Sequence, residues 1–152
     1  MRLLRETLAL AGLVLQIAIV GYFWSALPPQ VPMHFGANGA VDSYGGKSTL
    51  IVLPAVTLGL YVLLTVIGFF PRSLNFPVEV TEENRGRLEP IALSMMGWLK
   101  AELTWLFTYI AWAVIRVALG RANGLGWAFL PVALVAVGLT VAFGIVQMRR
   151  AA

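Results

Sequence analysis

Long apolar runs alternate with short polar segments along this chain. A helix needs about 20 apolar residues to cross a bilayer core, and runs of that length indicate transmembrane spans. Four runs meet the requirement, at about residues 7–26, 49–70, 98–119 and 127–148. The pattern therefore predicts an all-α integral membrane protein with four transmembrane helices, forming one membrane domain over residues 1–152.

The first run is predicted to stay in the membrane as a helix. It is longer than the ~7–15 apolar residues of a signal-peptide core, and no Ala-x-Ala site follows it before Pro28. The composition also favours a membrane protein, because only 12% of the residues are charged, about half the share in a soluble domain. The chain has no cysteine, which excludes disulfides, thiolate metal sites and cysteine nucleophiles.

Basic residues are distributed unevenly between the two ends of the predicted spans. Lys47 and Arg121 fall on one side, with Arg116 near that boundary. The opposite side would carry seven arginines: Arg2, Arg5, Arg72, Arg85, Arg87, Arg149 and Arg150. The positive-inside rule then places both termini and an inner loop, residues 71–89, in the cytoplasm. Since these residues form no patch, no nucleic-acid partner is expected.

The outer loop, residues 27–48, holds the only histidine and is the best candidate for function. Asn38-Gly39 predicts a hairpin with a type I′ turn, because both residues tolerate positive φ. In that register Phe35 faces Asp42, so His34 and Asp42 point to opposite faces of the ribbon. A bulge, or a wider loop at residues 36–39, would be needed to bring them together.

Three kinds of site are compatible with residue types in this loop. A zinc hydrolase needs about three protein ligands, and a Ser-His-Asp hydrolase using Ser43 or Ser48 lacks a Gly-x-Ser-x-Gly elbow. A binding surface requires no residue type that the loop lacks, and Phe35 and Tyr44 would anchor the loop against the helices. Its polar contacts would be His34, Asn38, Asp42 and Lys47. The simpler alternative is that these side chains only hold the loop's shape. No catalytic residue, cofactor or metal site is predicted.

The third span carries unusual side chains on one helical face. Helical spacing aligns Trp98, Glu102, Trp105, Tyr109, Trp112 and Arg116, with Lys100 roughly opposite. A charge facing lipid at mid-depth costs about 2.5–3.5 kcal/mol. Two interpretations follow: Glu102 lies at the inner interface, or it is a proton or cation ligand in a wet cavity, with Lys100 or Arg116 as its partner.

Small residues recur every four positions along the fourth span, at Ala136, Thr140 and Gly144. Such spacing lets helix backbones approach closely in lipid, where no hydrophobic force drives helix pairing. The stripe could form a dimer, but packing within one bundle is favoured because every helix of a four-span protein needs a close neighbour.

The inner loop contains a helix start. Thr81 supplies a capping hydroxyl, and Glu82 and Glu83 follow at the positive end of the helix dipole. The helix would continue along the inner surface before entering lipid, and Pro90 could kink it. This segment is either a docking surface for a cytoplasmic regulator or an ordinary solvated lead-in.

Two segments carry a resemblance to a known family. The first reads Leu27-Pro28-Pro29-Gln30-Val31-Pro32-Met33-His34-Phe35-Gly36-Ala37-Asn38-Gly39-Ala40-Val41-Asp42, with Lys47 following, and the second includes Asn75-Phe76-Pro77 and Thr81-Glu82-Glu83-Asn84-Arg85. Together they resemble the signature of a bacterial multi-pass membrane domain of unknown function that includes the SdpI-type immunity proteins. The resemblance is close over about residues 26–87. It implies a cell-membrane protein that protects against a secreted peptide toxin or relays its presence inward. The matching positions include Asn75 and Asn84, which join His34, Asn38, Asp42 and Lys47 as candidates.

These observations favour a non-enzymatic membrane protein of the toxin-immunity or sensing type, whose outer loop binds an extracellular peptide. The alternative is a small transporter or proton-coupled carrier using Glu102, and a third possibility is a metal-dependent membrane enzyme. Expected partners are the lipid bilayer, the extracellular peptide and a cytoplasmic regulator at the inner loop. The sequence leaves the oligomeric state open.

Overall fold

The computed structural model describes all 152 residues as four long helices and one two-stranded sheet. Short 3₁₀ turns lie at Trp24–Ala26, Lys47–Ile51 and Pro71–Ser73. The main elements in chain order are α1 (Arg2–Phe23), β1 (Gln30–Phe35), β2 (Val41–Gly46), α2 (Val52–Ile67), α3 (Glu82–Ala118) and α4 (Phe129–Ala151). With the 3₁₀ turns that adjoin α1 and α2, all four helices are long and apolar enough to cross a membrane. The mostly helical, four-span prediction is confirmed at this level.

Helix α3 is the central element, and α1, α2, α4 and β1 all pack against it. Along the seam with α1, a β-carbon on Gly12 would lie 3.0 Å from Thr104 Oγ1, so the two backbones approach closely. Thr108 Oγ1 donates a hydrogen bond to the Gly12 carbonyl over 2.8 Å, and Trp105 Nε1 donates to the Leu8 carbonyl over 3.1 Å. Small and hydroxyl-bearing residues thus replace bulky apolar packing, as lipid-embedded helix pairs require.

The first turn of α3 begins where the sequence predicted. Thr81 Oγ1 accepts a hydrogen bond from the Asn84 backbone N–H, and Asn84 Oδ1 accepts one from the Thr81 N–H. This reciprocal pair satisfies two N–H groups that the helix start would otherwise leave unpaired. The helix continues through Pro90 without a break to Ala118. The capped lead-in and the predicted third span therefore form one element.

The small-residue stripe of α4 faces α3. A β-carbon on Gly144 would lie within 2.4 Å of Met95 Sδ, and Thr140 Oγ1 donates a hydrogen bond to Glu102 Oε1. Gly138 meets no neighbouring atom within 4 Å and points away from this contact. The stripe therefore packs inside one bundle, which is the favoured of the two sequence interpretations.

Strands β1 and β2 form an antiparallel hairpin with two irregularities. His34 pairs with Ser43 as expected, but Phe35 pairs with Val41, which leaves Asp42 as an extra residue on β2; on β1, Met33 is extra in the same way. The type I′ turn is wrong, because Asn38 does not have positive φ. Instead the Gly39 N–H donates to the Gly36 carbonyl over 2.8 Å, and Gly39 is the only residue of this turn with positive φ, at 76°. This is a type I turn followed by a left-handed glycine.

Candidate functional site

The hairpin brings His34 and Asp42 together. With Asp42 as the extra residue on β2, its carboxylate turns to the same side as the imidazole, and His34 Nδ1 donates to Asp42 Oδ1 over 2.6 Å. The two side chains remain 68% and 51% exposed. The regular register predicted opposite faces; the structure instead uses a bulge, placed at Asp42 rather than in the turn. Because one atom of each group is engaged, His34 Nε2 and Asp42 Oδ2 are free to meet a ligand.

An apolar groove of about 450 Å³ lies beside this pair, between the hairpin and the helices. His34 stands among its lining residues, as do Met33 and Phe35 of the same strand. The helix walls are mainly aliphatic: Leu50, Val52, Leu53, Ile110 and Val114. The hairpin face therefore combines one exposed polar pair with a neighbouring apolar surface, an arrangement typical of binding sites.

The hairpin tip is joined backbone to backbone with the loop between α3 and α4. The Leu125 N–H donates to the Gly39 carbonyl over 2.8 Å, and Ala40 forms an isolated β-bridge with Gly124. A β-carbon on Gly124 would lie 2.0 Å from the Gly39 oxygen, and one on Gly39 would lie 2.5 Å from the Gly126 oxygen. Side chains at these positions would separate the two loops, so the glycines are what permits the junction.

Asn38 and Lys47, the other predicted outer-loop residues, do not join the His34–Asp42 pair. Asn38 Oδ1 accepts a hydrogen bond from the Ala40 N–H over 3.0 Å and so holds the turn. Lys47 Nζ lies 4.8 Å from the ring centroid of Trp24, a cation–π contact that ties the end of the hairpin to the end of α1. Both contacts stabilise the shape of the loop.

Glu102 lies in a groove between α3 and α4. It receives the hydrogen bond from Thr140, and its second carboxylate oxygen is buried without a partner. Cavities of about 650 and 600 Å³ open on either side of it. Neither sequence-predicted partner reaches it: Lys100 lies elsewhere, and Arg116 donates to the Arg121 carbonyl over 3.0 Å.

Lys100 is 4% exposed and belongs to a polar cluster that joins three helices. Its ammonium donates to both carboxylate oxygens of Glu6, over 2.8 and 2.7 Å, and to Thr65 Oγ1 over 3.0 Å. It also lies 4.7 Å from the ring centroid of Tyr61. Glu6 is not among the residues predicted from the sequence, although a carboxylate in the first turns of an apolar helix is a signal for a buried partner.

The two inner-loop candidates, Asn84 and Asn75, differ in burial and in their contacts. Asn84 is buried, and besides capping α3 its Nδ2 donates to the Glu79 carbonyl over 3.0 Å, so its contacts are structural. Asn75 is exposed, next to Leu74 and Phe76, which pack on a small core around Leu88. The cytoplasmic regulator at this loop stays a prediction.

No three His, Asp or Glu side chains lie close enough together to hold a metal ion. The structure thus presents two polar sites apart from the Lys100 cluster: the His34–Asp42 pair on the hairpin and Glu102 in the α3–α4 groove. The structure has four helices long and apolar enough to span a membrane and a hairpin at one end of the bundle, features that indicate the class of multi-pass membrane proteins.

Comparisons with known proteins place the similarity at the hairpin end of the chain. Residues 11–58 match the model of a domain of unknown function, DUF1648, which covers most of α1, the hairpin and the start of α2. An uncharacterized protein of Archaeoglobus fulgidus is 34% identical over 76 residues, which cover 41% of this chain and 42% of that protein. The chain thus spans less than half the length of this relative. No solved structure matches.

Proposed function

We propose that this chain is a multi-pass protein of the cell membrane whose hairpin recognises an extracellular peptide, in a toxin-immunity or sensing role like that of the SdpI-type proteins. The observation that carries the proposal is the exposed His34–Asp42 pair beside an apolar groove. The arginine distribution supports an orientation with both termini inside and the hairpin outside.

The chemistry of the site favours a cationic amphipathic peptide. The groove would take an apolar side chain, since its walls are largely aliphatic. Asp42 Oδ2, at the exposed edge, would accept a hydrogen bond from a lysine or arginine of the same peptide. Hydrogen bonds to charged groups are stronger than neutral ones, so this contact would set the specificity.

The junction between the hairpin tip and the α3–α4 loop supports sensing in particular. A peptide that displaces the hairpin would also displace Leu125, because the Gly39 carbonyl holds its N–H. Leu125 lies four residues before Phe129, the first residue of α4. Phe129 stacks on Tyr109 of α3 with ring centroids 5.1 Å apart. A movement at the hairpin would thereby reach the α3–α4 contact.

Binding can be tested on the full chain in detergent with three synthetic peptides of equal length: cationic amphipathic, anionic amphipathic and neutral polar. We expect the cationic amphipathic peptide to bind, and His34→Ala or Asp42→Ala to weaken binding roughly 10- to 100-fold, the range for losing a hydrogen bond to a charged group. Gln30→Ala is the matched control, because Gln30 is an exposed polar residue of the same strand. Failure of all three peptides to bind, or unchanged binding by the double His34→Ala/Asp42→Ala variant, would refute the proposal.

A second candidate function is proton-coupled transport through the α3–α4 groove. The observation that favours it is the buried, unpartnered oxygen of Glu102, which sits between two cavities. Carboxyl groups that face a cavity within a membrane-spanning bundle commonly mark proton or ion pathways. Proteoliposomes containing a pH-sensitive dye would show proton flux that Glu102→Gln abolishes, while Glu79→Gln, at an exposed loop position, leaves it intact. Absence of flux in the parent protein would eliminate this candidate.

A further inference from the structure

A small basic pocket lies between α1, α2 and α3, at the end of the bundle that carries the chain termini. Its volume is about 260 Å³, and its charged lining residues are three cations and one carboxylate: Arg2, Arg5, Lys100 and Glu6. Neither the hairpin nor Glu102 contributes to it. The pocket adjoins the Lys100 cluster and is distinct from the His34–Asp42 and Glu102 sites.

The charges in this pocket do not cancel. An ammonium group has three protons to donate, and Lys100 gives two to Glu6 and one to Thr65, so this ion pair is complete. Arg5 donates to a neutral partner, Ser94 Oγ. None of the protein's three ion pairs includes Arg2 or Arg5. Two guanidinium charges remain without a counter-ion.

The helix end adds to this positive potential. The first turn of α1 contains no acidic residue, and Met1 provides no side-chain cap. The free N–H groups of that turn carry a partial positive charge. On α3, a β-carbon on Gly97 would lie 3.0 Å from Arg5 Nε, so this glycine lets the arginine stem lie against the helix.

In a bilayer, the pocket would lie at the depth of the lipid headgroups. Helix α1 has 22 residues, so it is about 33 Å long at about 1.5 Å per residue, close to the ~30 Å hydrocarbon thickness of a bilayer. Arg2 and Arg5 are in its first two turns, so in a membrane they would lie at one boundary of the hydrocarbon layer. Basic pockets between transmembrane helices at such a boundary are suited to phosphate-bearing headgroups.

We propose that this pocket binds the phosphate of an anionic phospholipid headgroup, such as phosphatidylglycerol. Arg2 and Arg5 would hold the phosphate oxygens, since the guanidinium fork matches phosphate geometry. At 260 Å³ the pocket is smaller than a typical small-molecule site of about 300–1,000 Å³. We therefore expect only the headgroup to enter the pocket, while the acyl chains lie outside it along the lipid-facing helices.

Native mass spectrometry of the full chain in detergent can test this with phosphatidylglycerol and phosphatidylcholine of identical acyl chains. We expect phosphatidylglycerol to be retained preferentially. Arg2→Gln/Arg5→Gln should weaken its binding on the order of 30-fold, from the typical contribution of two basic residues at a membrane surface. Arg149→Gln/Arg150→Gln is the matched control, because it removes two exposed arginines from the same end of the bundle.

Two further measurements keep the test decisive. Arg2 is exposed and has no ion-pair partner, so we expect Arg2→Gln alone to leave the helix packing intact, and a loss of lipid binding in this variant would support the proposal. The second measurement adds millimolar inorganic phosphate as a competitor. If phosphate displaces phosphatidylglycerol from the parent protein but not from the variants, the pocket binds phosphate, and a soluble phosphate is a second possible ligand besides the lipid headgroup. Equal retention of both lipids, or equal losses in the Arg2/Arg5 variant and its control, would overturn the proposal.

Discussion

Four glycines allow the junction between the hairpin and the α3–α4 loop to be tested with single methyl groups. Gly39 combines positive φ with an obstructed β-carbon position, 2.5 Å from the Gly126 oxygen. Gly124 is obstructed, at 2.0 Å from the Gly39 oxygen, but lacks positive φ. Gly120 has φ of 69° and open space, and Gly138 has neither constraint. Alanine at these positions therefore separates backbone strain from steric overlap.

The expected losses of stability follow from those two terms. A left-handed conformation costs a residue with a β-carbon about 1–2 kcal/mol, and forcing an extra methyl group into a packed contact costs about 1–3 kcal/mol. Gly120→Ala should thus lose about 1–2 kcal/mol and Gly124→Ala about 1–3 kcal/mol. Gly39→Ala should lose the sum, about 2–5 kcal/mol. Gly138→Ala should be neutral or stabilising, since alanine is the better helix former.

Reversible unfolding of the purified protein in mixed micelles, followed by tryptophan fluorescence, measures these differences. The reasoning fails if Gly39→Ala is no more destabilised than Gly120→Ala, or if Gly124→Ala behaves like Gly138→Ala. Since Gly39 and Gly124 form one contact, their double variant should lose less than the sum of the two single losses.

Three other substitutions test the helix contacts by the same unfolding measurement. Lys100→Met should destabilise by less than the ~3–5 kcal/mol of a fully buried pair, because the Glu6 side chain is 36% exposed, and Glu6→Gln added to it should restore part of the loss. Thr81→Ala should cost about 1 kcal/mol by removing the cap of α3, and an equal free energy of unfolding would show that the cap is dispensable. Gly144→Leu should separate α4 from α3, and Met95→Ala should rescue it by making room; a failure to rescue would contradict the observed contact.

The start of α3 shows how far local chemistry predicts this fold. The Thr81 hydroxyl and the carboxylates after it act within one helical turn, so the sequence alone located the cap. Asn84 is an inner-side functional candidate by the resemblance alone, yet in the structure it caps α3. Its position three residues after the cap was the available signal, since the side chain at that position reaches back to the cap N–H.

The hairpin shows where local chemistry is insufficient. Propensity favours positive φ at both Asn38 and Gly39, yet only Gly39 adopts it. The Gly39 carbonyl also accepts a hydrogen bond from Leu125, in a loop more than eighty residues away. The bulge at Asp42 accompanies this turn and places the carboxylate beside His34. A long-range backbone contact thus accompanies both departures from the predicted hairpin, the turn type and the bulge.

The sequence by itself determined that four helices are long and apolar enough to span a membrane, because the apolar length of a span depends on the bilayer and not on its neighbours. Only the tertiary structure decided which polar groups meet. Lys100 pairs with Glu6 and Glu102 with Thr140 because each helix is rotated by packing against its neighbours. His34 meets Asp42 because one residue is bulged. Rotation and bulging depend on contacts distant in sequence, and no local pattern specifies them.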